Sequence, residues 1–499
     1  MSSPELPVPL VLFGVPVHNL DADEALERVL RDAEERRPCH VVTSNLDFLR
    51  LSQTDPEMHH IHLEADLVVP DGMPLIWLSR LFGPPLKERV TGSDLVPRLA
   101  ERARDRDISI FAVGGAPGVA ERALGELQAR YPGLRVRGWL SPPMVPLLQM
   151  EHEELRAKIL ESDPHVVFVA LGTPKQEKWI RLQRAEGGLP VAVGVGGSLD
   201  FLAGVQSRAP KIFQRAGLGW LWRLLCAPRR LFKRYASDFA FLVGMLARVA
   251  LLRVSPAGRA PGSFALDDAL LARYGARAAA LPRLDDPAAA AAFVRELEKL
   301  RRGGSLILDL GEAAWLNSLE LGVLVRAAQE CRADGGRLIV VRGAPRLRAL
   351  LRLYHLDRFM EVVDAPADLD SALERLALLS ASARARLDGS RMLVRLPREF
   401  AGSAVRRFRE EIRRLRGDRP PREVVVDAAT TEYLDVAGAR YLHAFQREVE
   451  RERGGSVWLS GFSSELLERL RREGHDLARV DRRTRYRSGD AAAPAGEAR

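Results

Sequence analysis

The sequence predicts an α/β protein: a mostly parallel sheet of about six strands flanked by helices, followed by two smaller α/β units. Three observations predict it. Short apolar runs alternate with helical periods through the N-terminal half. Two of those runs end on polar, glycine-bearing loops. Run 166–171 leads into Gly172-Thr173-Pro174-Lys175-Gln176-Glu177, and run 191–195 into Gly196-Gly197-Ser198-Leu199-Asp200. Finally, two C-terminal segments share one pattern at one offset, pairing Asp309 with Asp427, Leu316 with Leu434 and Leu324 with Leu442.

The strand candidates, in order, are 10–13, 39–44, 67–70, 108–113, 166–171 and 191–195. Segment 21–36 carries Ala25, Leu26, Val29 and Leu30 at helical spacing, and a further helix begins near Lys175. After Gly204 the composition changes. Residues 211–236 mix Phe213, Trp220, Trp222, Phe232 and Tyr235 with arginines, and Pro228 suits the first turn of a new helix. The apolar run 239–252 is short for a bilayer and contains Arg248, so it reads as a helix in the membrane interface or one packed on the N-terminal domain. Prolines, glycines and small residues make 255–265 a linker. The two repeats each read strand, short loop, helix, glycine pair, strand; Gly335-Gly336 and Gly454-Gly455 are the glycine pairs. The expected division is 8–210, a basic aromatic appendage 211–254, the linker, repeats 266–380 and 388–485, and a disordered tail 486–499.

A chain of 499 residues accommodates roughly two to four domains. The N-terminus lacks the basic start and apolar core of a signal peptide. Cys39, Cys226 and Cys331 have no paired spacing, which fits a reducing compartment and argues against a disulfide framework or structural zinc. The net charge of +9 is concentrated at 208–259, where only Asp238 opposes the basic residues. Such a patch suits nucleic acid, anionic lipid or a phosphate-rich substrate.

Strand ends carry the candidate chemistry. Asp71, on a loop after a strand, reads as a general base or as a helix N-cap. Thr43 and Asn45 offer uncharged hydrogen bonds to a sugar or base, or cap a turn. Arg89 is a phosphate contact or a surface arginine. Gln176 and Asp200 line the two glycine loops or cap their helices. His59, His60 and His62 lack the spacing of a zinc motif and read as structural.

On these residues the N-terminal half, about 8–245, resembles the WecG/TagA/CpsF family of bacterial glycosyltransferases. The likeness rests on Thr43-Ser44-Asn45, Val69-Pro70-Asp71-Gly72, Arg89-Val90-Thr91-Gly92-Ser93-Asp94, Gly172-Thr173-Pro174-Lys175-Gln176-Glu177 and Gly194-Val195-Gly196-Gly197-Ser198-Leu199-Asp200. It implies a Rossmann-like domain that moves a sugar, such as N-acetylmannosamine, from a UDP-sugar to an undecaprenyl-diphosphate-linked acceptor in surface polysaccharide synthesis. It further implies inversion at the anomeric carbon and no metal or other cofactor. By the same likeness Asp71 is the catalytic base. Thr43, Asn45, Gln176 and Asp200 form the donor or acceptor pocket, and Arg89 contacts substrate. Arg223, Arg230 and Lys233 are the basic residues of an appendage that covers the site and faces the membrane diphosphate. Lys233 stands where the family usually has arginine, which weakens bidentate phosphate contact there.

The C-terminal repeats are similar to STAS domains, in which a serine at a helix start can be phosphorylated. The first repeat keeps that hydroxyl in Asn317-Ser318, with Glu320 in place of the usual glycine; the second has Asp435-Val436. Ser318 is thus a phosphorylation candidate or a helix cap, and the repeats serve regulation or protein docking. Taken together, the expectation is a cytoplasmic enzyme held at the inner face of the cell membrane, with no nucleic-acid partner. The competing reading is an inactive nucleotide-sugar-sensing scaffold.

Overall fold

The structure, a computed structural model, describes residues 6–186, 188–207, 219–260, 276–301, 305–334 and 336–365. Towards the C-terminus it describes 385–388, 391–397, 403–416, 423–429, 433–453 and 456–463, with shorter stretches between. Residues 261–265 of the expected linker and the expected tail lie outside the described residues. The chain divides into two compact units, residues 1–183 with 188–380, and 184–187 with 381–499.

The first unit opens on a hairpin of β1 (Leu10–Leu12) and β2 (Val15–Val17). Its two turn residues, Phe13 (φ 49°) and Gly14 (φ 86°), both have positive φ, the turn that suits a two-residue hairpin. Helix α1 (Ala22–Glu34) follows, capped by Asp21 and Glu24 in a reciprocal box, with Ala25, Leu26, Val29 and Leu30 buried as their spacing predicts. Six strands then make the main sheet: β3 (His40–Ser44), β4 (Leu67–Pro70), β5 (Ser109–Gly114), β6 (Arg135–Leu140), β7 (Val166–Ala170) and β8 (Val191–Gly194). Their order is β4-β3-β8-β7-β5-β6, and every pairing is parallel.

One expected strand is replaced. Run 10–13 is not in this sheet, because the turn at Phe13-Gly14 folds it back on the residues that follow. The sixth place belongs to β6, an edge strand whose residues alternate exposed and half-buried. With Arg135 and Arg137 on its wet face, it never forms the continuous apolar run of the central strands.

Helices α2 (Leu46–Thr54) and α3 (Pro56–Glu64) join β3 to β4, and α4 (Met73–Phe82) and α5 (Gly92–Asp105) join β4 to β5. Further on come α6 (Val119–Arg130), α7 (His152–Glu161), α8 (Lys175–Glu186) and α9 (Ser198–Leu202). His59, His60 and His62 of α3 are all buried. Burial lowers His59 to about 3 and His62 to about 4, so both are neutral near pH 7. His62 lies between Ser52 Oγ (3.0 Å) and Ser44 Oγ (3.4 Å) as a packed core side chain. Among the described residues no three His, Cys, Asp or Glu side chains come together as metal ligands.

The appendage forms α10 (Gly219–Cys226) and α11 (Pro228–Val254). Pro228 occupies the first turn of α11, as expected. The segment Leu231–Val254 is long and apolar enough to cross a membrane by length and composition. One face of it packs inward, burying Asp238, Met245 and Val249.

The first repeat contains β9 (Ala276–Ala280), α12 (Pro287–Arg301), β10 (Ser305–Asp309), α13 (Ser318–Ala333), β11 (Leu338–Val341), α14 (Pro345–Leu353) and β12 (Glu361–Val362). Its sheet, β12-β11-β10-β9, is parallel. This repeat shares a continuous hydrophobic core with the N-terminal domain: Val8 to Phe13, Phe48, Leu49 and Ile61 meet Leu319, Val323, Leu350 and Tyr354. At the centre of that contact α13 crosses the backbone ahead of β1. A Cβ on Gly322 would lie 1.7 Å from Pro9 O, an approach only glycine allows. Gln329 Nε2 adds a hydrogen bond to Leu63 O at 2.6 Å.

The second unit contains β13 (Ala385–Asp388), β14 (Arg391–Arg395), β15 (Glu399–Phe400), α15 (Ser403–Arg416), β16 (Glu423–Asp427), β17 (Tyr433–Leu434), α16 (Val436–Arg453) and β18 (Ser456–Ser460). Its main sheet runs β13-β14-β16-β18, with only β13–β14 antiparallel. The duplication read from Asp309 and Asp427 holds at the strand end: each carboxylate ends a strand and accepts from the amide two residues on, Gly311 at 2.8 Å or Ala429 at 2.9 Å. The arginine that each also meets at 3.0 Å comes from a different neighbouring strand, Arg342 after β11 and Arg395 at the end of β14.

Candidate active site

Four strands of the main sheet deliver their carboxyl ends to one cleft of about 900 Å³. Thr43 and Asn45 come from the end of β3, Asp71 from β4, Gly172, Thr173 and Gln176 from β7, and Val195 to Ser198 with Asp200 from β8. This is the place where open parallel sheets bind ligands. The appendage supplies the facing wall through Trp222, Cys226, Leu231, Arg234 and Tyr235.

Thr43 is buried, and its Oγ1 donates to Gly194 O at 3.0 Å, tying the ends of β3 and β8 together. Asn45 is the N-cap of α2, its side chain accepting from Asp47 N at 3.1 Å, so it caps a helix and lines the cleft at once. Asp71 is half-buried, and its backbone N–H donates to Ser44 O at 2.6 Å. The N-cap of α4 is Gly72, so Asp71 stands one residue ahead of the capping position. Asp200 lies in the first turn of α9 beside Gly197.

Gln176 is buried and spans the two glycine loops. Its Oε1 accepts from Gly196 N at 3.2 Å, and its Nε2 donates to Glu177 Oε1 at 2.6 Å. Gly194 leaves room for this pair, because a Cβ there would lie 2.9 Å from Gln176 Nε2. Glu177 is a participant that sequence reasoning passed over. It is fully buried, and Oε2 has no hydrogen-bond partner. Burial pushes its carboxyl up to about 8, against the pull of the Gln176 hydrogen bond. Between the usual 4.5 and about pH 8, the folded chain therefore holds a proton that the unfolded chain has lost, and stability declines as pH rises through that window. In Glu177→Gln the decline is expected to flatten, a difference read from melting temperatures between pH 5 and 8.5.

The appendage is clamped by charges. Arg234 Nη2 lies 2.9 Å from Asp47 Oδ2, and Arg50 Nε lies 2.8 Å from Asp238 Oδ1. Arg50 also pairs with Asp47. Asp238, the lone acid of the basic stretch, is buried at this junction, where burial pushes its carboxyl up. Among the described residues, Arg234 is the arginine that lines the cleft. In the sequence it is one of many in a basic run, with nothing to set it apart.

Two expected residues, Lys233 and Arg89, do not line this cleft. Lys233 is exposed and is not among the residues lining the cleft. The side chains of Arg223 and Arg230 lie outside the described residues, although their backbones belong to α10 and α11. Arg89 lines a separate groove of about 480 Å³ with Glu88, Arg98 and Arg130.

Ser318 calls for a correction. The N-cap of α13 is Asn317, in a reciprocal box with Glu320, so the serine is not the cap. Glu320, in place of the glycine, also accepts from Leu284 N at 3.1 Å. The Ser318 hydroxyl is buried without a partner, and a Cβ on Gly83 would lie 2.2 Å from it. Gly83 packs directly against the serine that the resemblance marks as a phosphorylation candidate.

Fold and cleft together define an α/β protein with a polar cleft at its strand ends, beneath a basic two-helix cover. Comparison with known proteins agrees. The glycosyl transferase WecG/TagA/CpsF family matches residues 10–254, and the STAS domain matches 286–369 and 382–482. An N-acetylglucosaminyldiphosphoundecaprenol N-acetyl-beta-D-mannosaminyltransferase of Bacillus spizizenii is 32% identical over 197 residues, 40% of this chain and 75% of the relative. One of the same description from Staphylococcus aureus is 29% identical over 194 residues, 38% of this chain and 73% of the relative. The chain belongs to the WecG/TagA/CpsF family of glycosyl transferases, extended by two STAS repeats.

Proposed function

We propose that the chain transfers a sugar from a UDP-sugar to a polyprenyl-diphosphate-linked acceptor, inverting the anomeric carbon without a divalent metal. The observation that carries this is the convergence of Asp71, Asn45, Gln176 and Asp200 with Arg234 on one cleft. The relatives' names supply the acceptor class and suggest N-acetylmannosamine as the sugar; the resemblance supplies the UDP.

In this reading Asp71 takes the proton of the acceptor hydroxyl as its oxygen bonds to the sugar's anomeric carbon. The bond from that carbon to the UDP oxygen breaks, and the electron pair leaves with the diphosphate. Arg234, with Arg223 and Arg230 of the same appendage, stabilises the developing charge, whereas Lys233 does not line the cleft. Thr43, Asn45, Gln176 and Asp200 hold the donor and acceptor. Arg89 takes no part here, since its groove is separate.

The appendage also supports attachment to a membrane surface. Phe232, Phe239, Val243, Leu251 and Val254 of α11 are exposed, and their spacing places them on one helical face. Helices of this kind lie in the bilayer interface. Replacing Phe232 and Phe239 together by serine is expected to reduce co-sedimentation with anionic liposomes while leaving the fold unchanged by circular dichroism.

The test of the reaction is incubation with a panel of UDP-sugars and an undecaprenyl-diphosphate-linked acceptor, with the lipid product read by mass spectrometry. One donor is expected to lengthen the acceptor by a single hexose unit. Binding of a UDP-sugar with no product from any acceptor would favour the sensing scaffold instead.

A further inference from the structure

The two ends of α11 are held by different parts of the molecule. Its first turns line the cleft through Leu231, Arg234 and Tyr235. Its far end is held by the first STAS repeat. The Arg346 guanidinium donates to Ser255 O, and Arg346 N donates to Ala257 O at 3.3 Å. The Arg253 guanidinium lies 5.7 Å from the ring centroid of Trp315. A Cβ on Gly258 would lie 2.7 Å from Pro345 Cγ, so the chain leaving the helix is pressed against α14. Between the ends, Met245 and Val249 are buried in the core that the two domains share. Phe241 meets Phe13 edge-on at 6.0 Å, and Phe13 meets Tyr354 at 6.0 Å.

A helix of 27 residues is about 40 Å long and carries no proline beyond its first turn. Such a rod transmits a displacement at one end to the other. At the cleft, Arg50 and Arg234 of the ion-pair clamp are partly solvated, whereas the distal half buries Met245 and Val249 in the shared apolar core. The helix is thus held at two separate points along its axis, by the clamp at the cleft and by the distal anchors.

We infer that the first STAS repeat is a positioning element of the transferase: by seating the distal half of α11 it holds Arg234 at the cleft, where the donor diphosphate departs. The inference rests on the proposed transfer reaction. Arg346 and Trp315 are positioning residues, since neither lines the cleft. A docking module is thereby part of the catalytic geometry, and a partner that pulled the repeat away would slacken the cover of the active site.

The test uses the full chain carrying Arg346→Ala with Trp315→Ala. Turnover is expected to fall about tenfold or more, as small misplacements of catalytic groups do. Amide hydrogen exchange over 228–240 is expected to quicken while β3, β7 and β8 keep their protection. Arg346→Lys, which keeps a donor for Ser255 O, is expected to restore most of the turnover in an otherwise native chain. Where the double variant does not fold, Arg253→Ala removes the ring contact from an exposed position and is expected to show the same two changes at smaller size. Transfer at the native rate, or lost transfer with unchanged exchange at 228–240, overturns the inference. Absence of transfer in the native chain with every donor overturns the reaction instead, and the exchange measurement still reports the coupling.

Discussion

Asp71→Asn is expected to lower sugar transfer by about 10²–10⁴-fold, the usual contribution of a positioned general base, while the chain still binds its UDP-sugar. The amide keeps the size and the hydrogen-bonding reach of the carboxylate but cannot take a proton at neutral pH. Asp71 lies beyond the last residue of β4, ahead of the capping position that Gly72 holds, so the helix loses no cap when the charge is removed. Titration calorimetry with the donor and a turnover assay on the same preparation separate the two effects. Equal loss of binding and turnover would make Asp71 a binding residue, and undiminished turnover would remove it from the chemistry.

Gly322→Ala is expected to destabilise the first unit by about 3 kcal/mol or more, at the upper end of overpacking costs. The new methyl would lie 1.7 Å from Pro9 O, and that neighbour is backbone, unable to rotate away. Either α13 lifts from the hairpin or the hairpin leaves its place, and both open the shared core. The control Gly125→Ala, inside α6 where a Cβ would meet nothing within 4 Å, is expected to stabilise the chain by up to about 1 kcal/mol. Denaturant unfolding of the two variants makes the comparison. A native midpoint for Gly322→Ala would mean that the two domains are not packed as described.

The central strands were legible because they are buried on both faces: runs such as Val166-Val167-Phe168-Val169 have no polar side to obscure them. β6 was not, because an edge strand with arginines on its wet face has no such run. Asp71, Asn45, Gln176 and Asp200 were legible as strand-end residues, since a parallel sheet brings those ends to one side whatever the loops between them. Arg234 could not be singled out, because its place depends on an ion pair to Asp47, far away in sequence. Glu177 was hidden for a related reason. A glutamate early in a helix reads as a solvated residue until the packing of Gly194 against it is known. Nor does the pattern around Ser318 reveal that the helix start is covered by Gly83, because docking between domains leaves no periodic signal in either.

The central claim is that arginines of the appendage do at the departing diphosphate what a divalent cation does in other transferases. The direct measurement is the rate of sugar transfer by the full chain in excess EDTA, compared with the rate after adding magnesium or manganese. The same rate in both is predicted. Loss of product in chelator, with recovery on adding either ion, would contradict it.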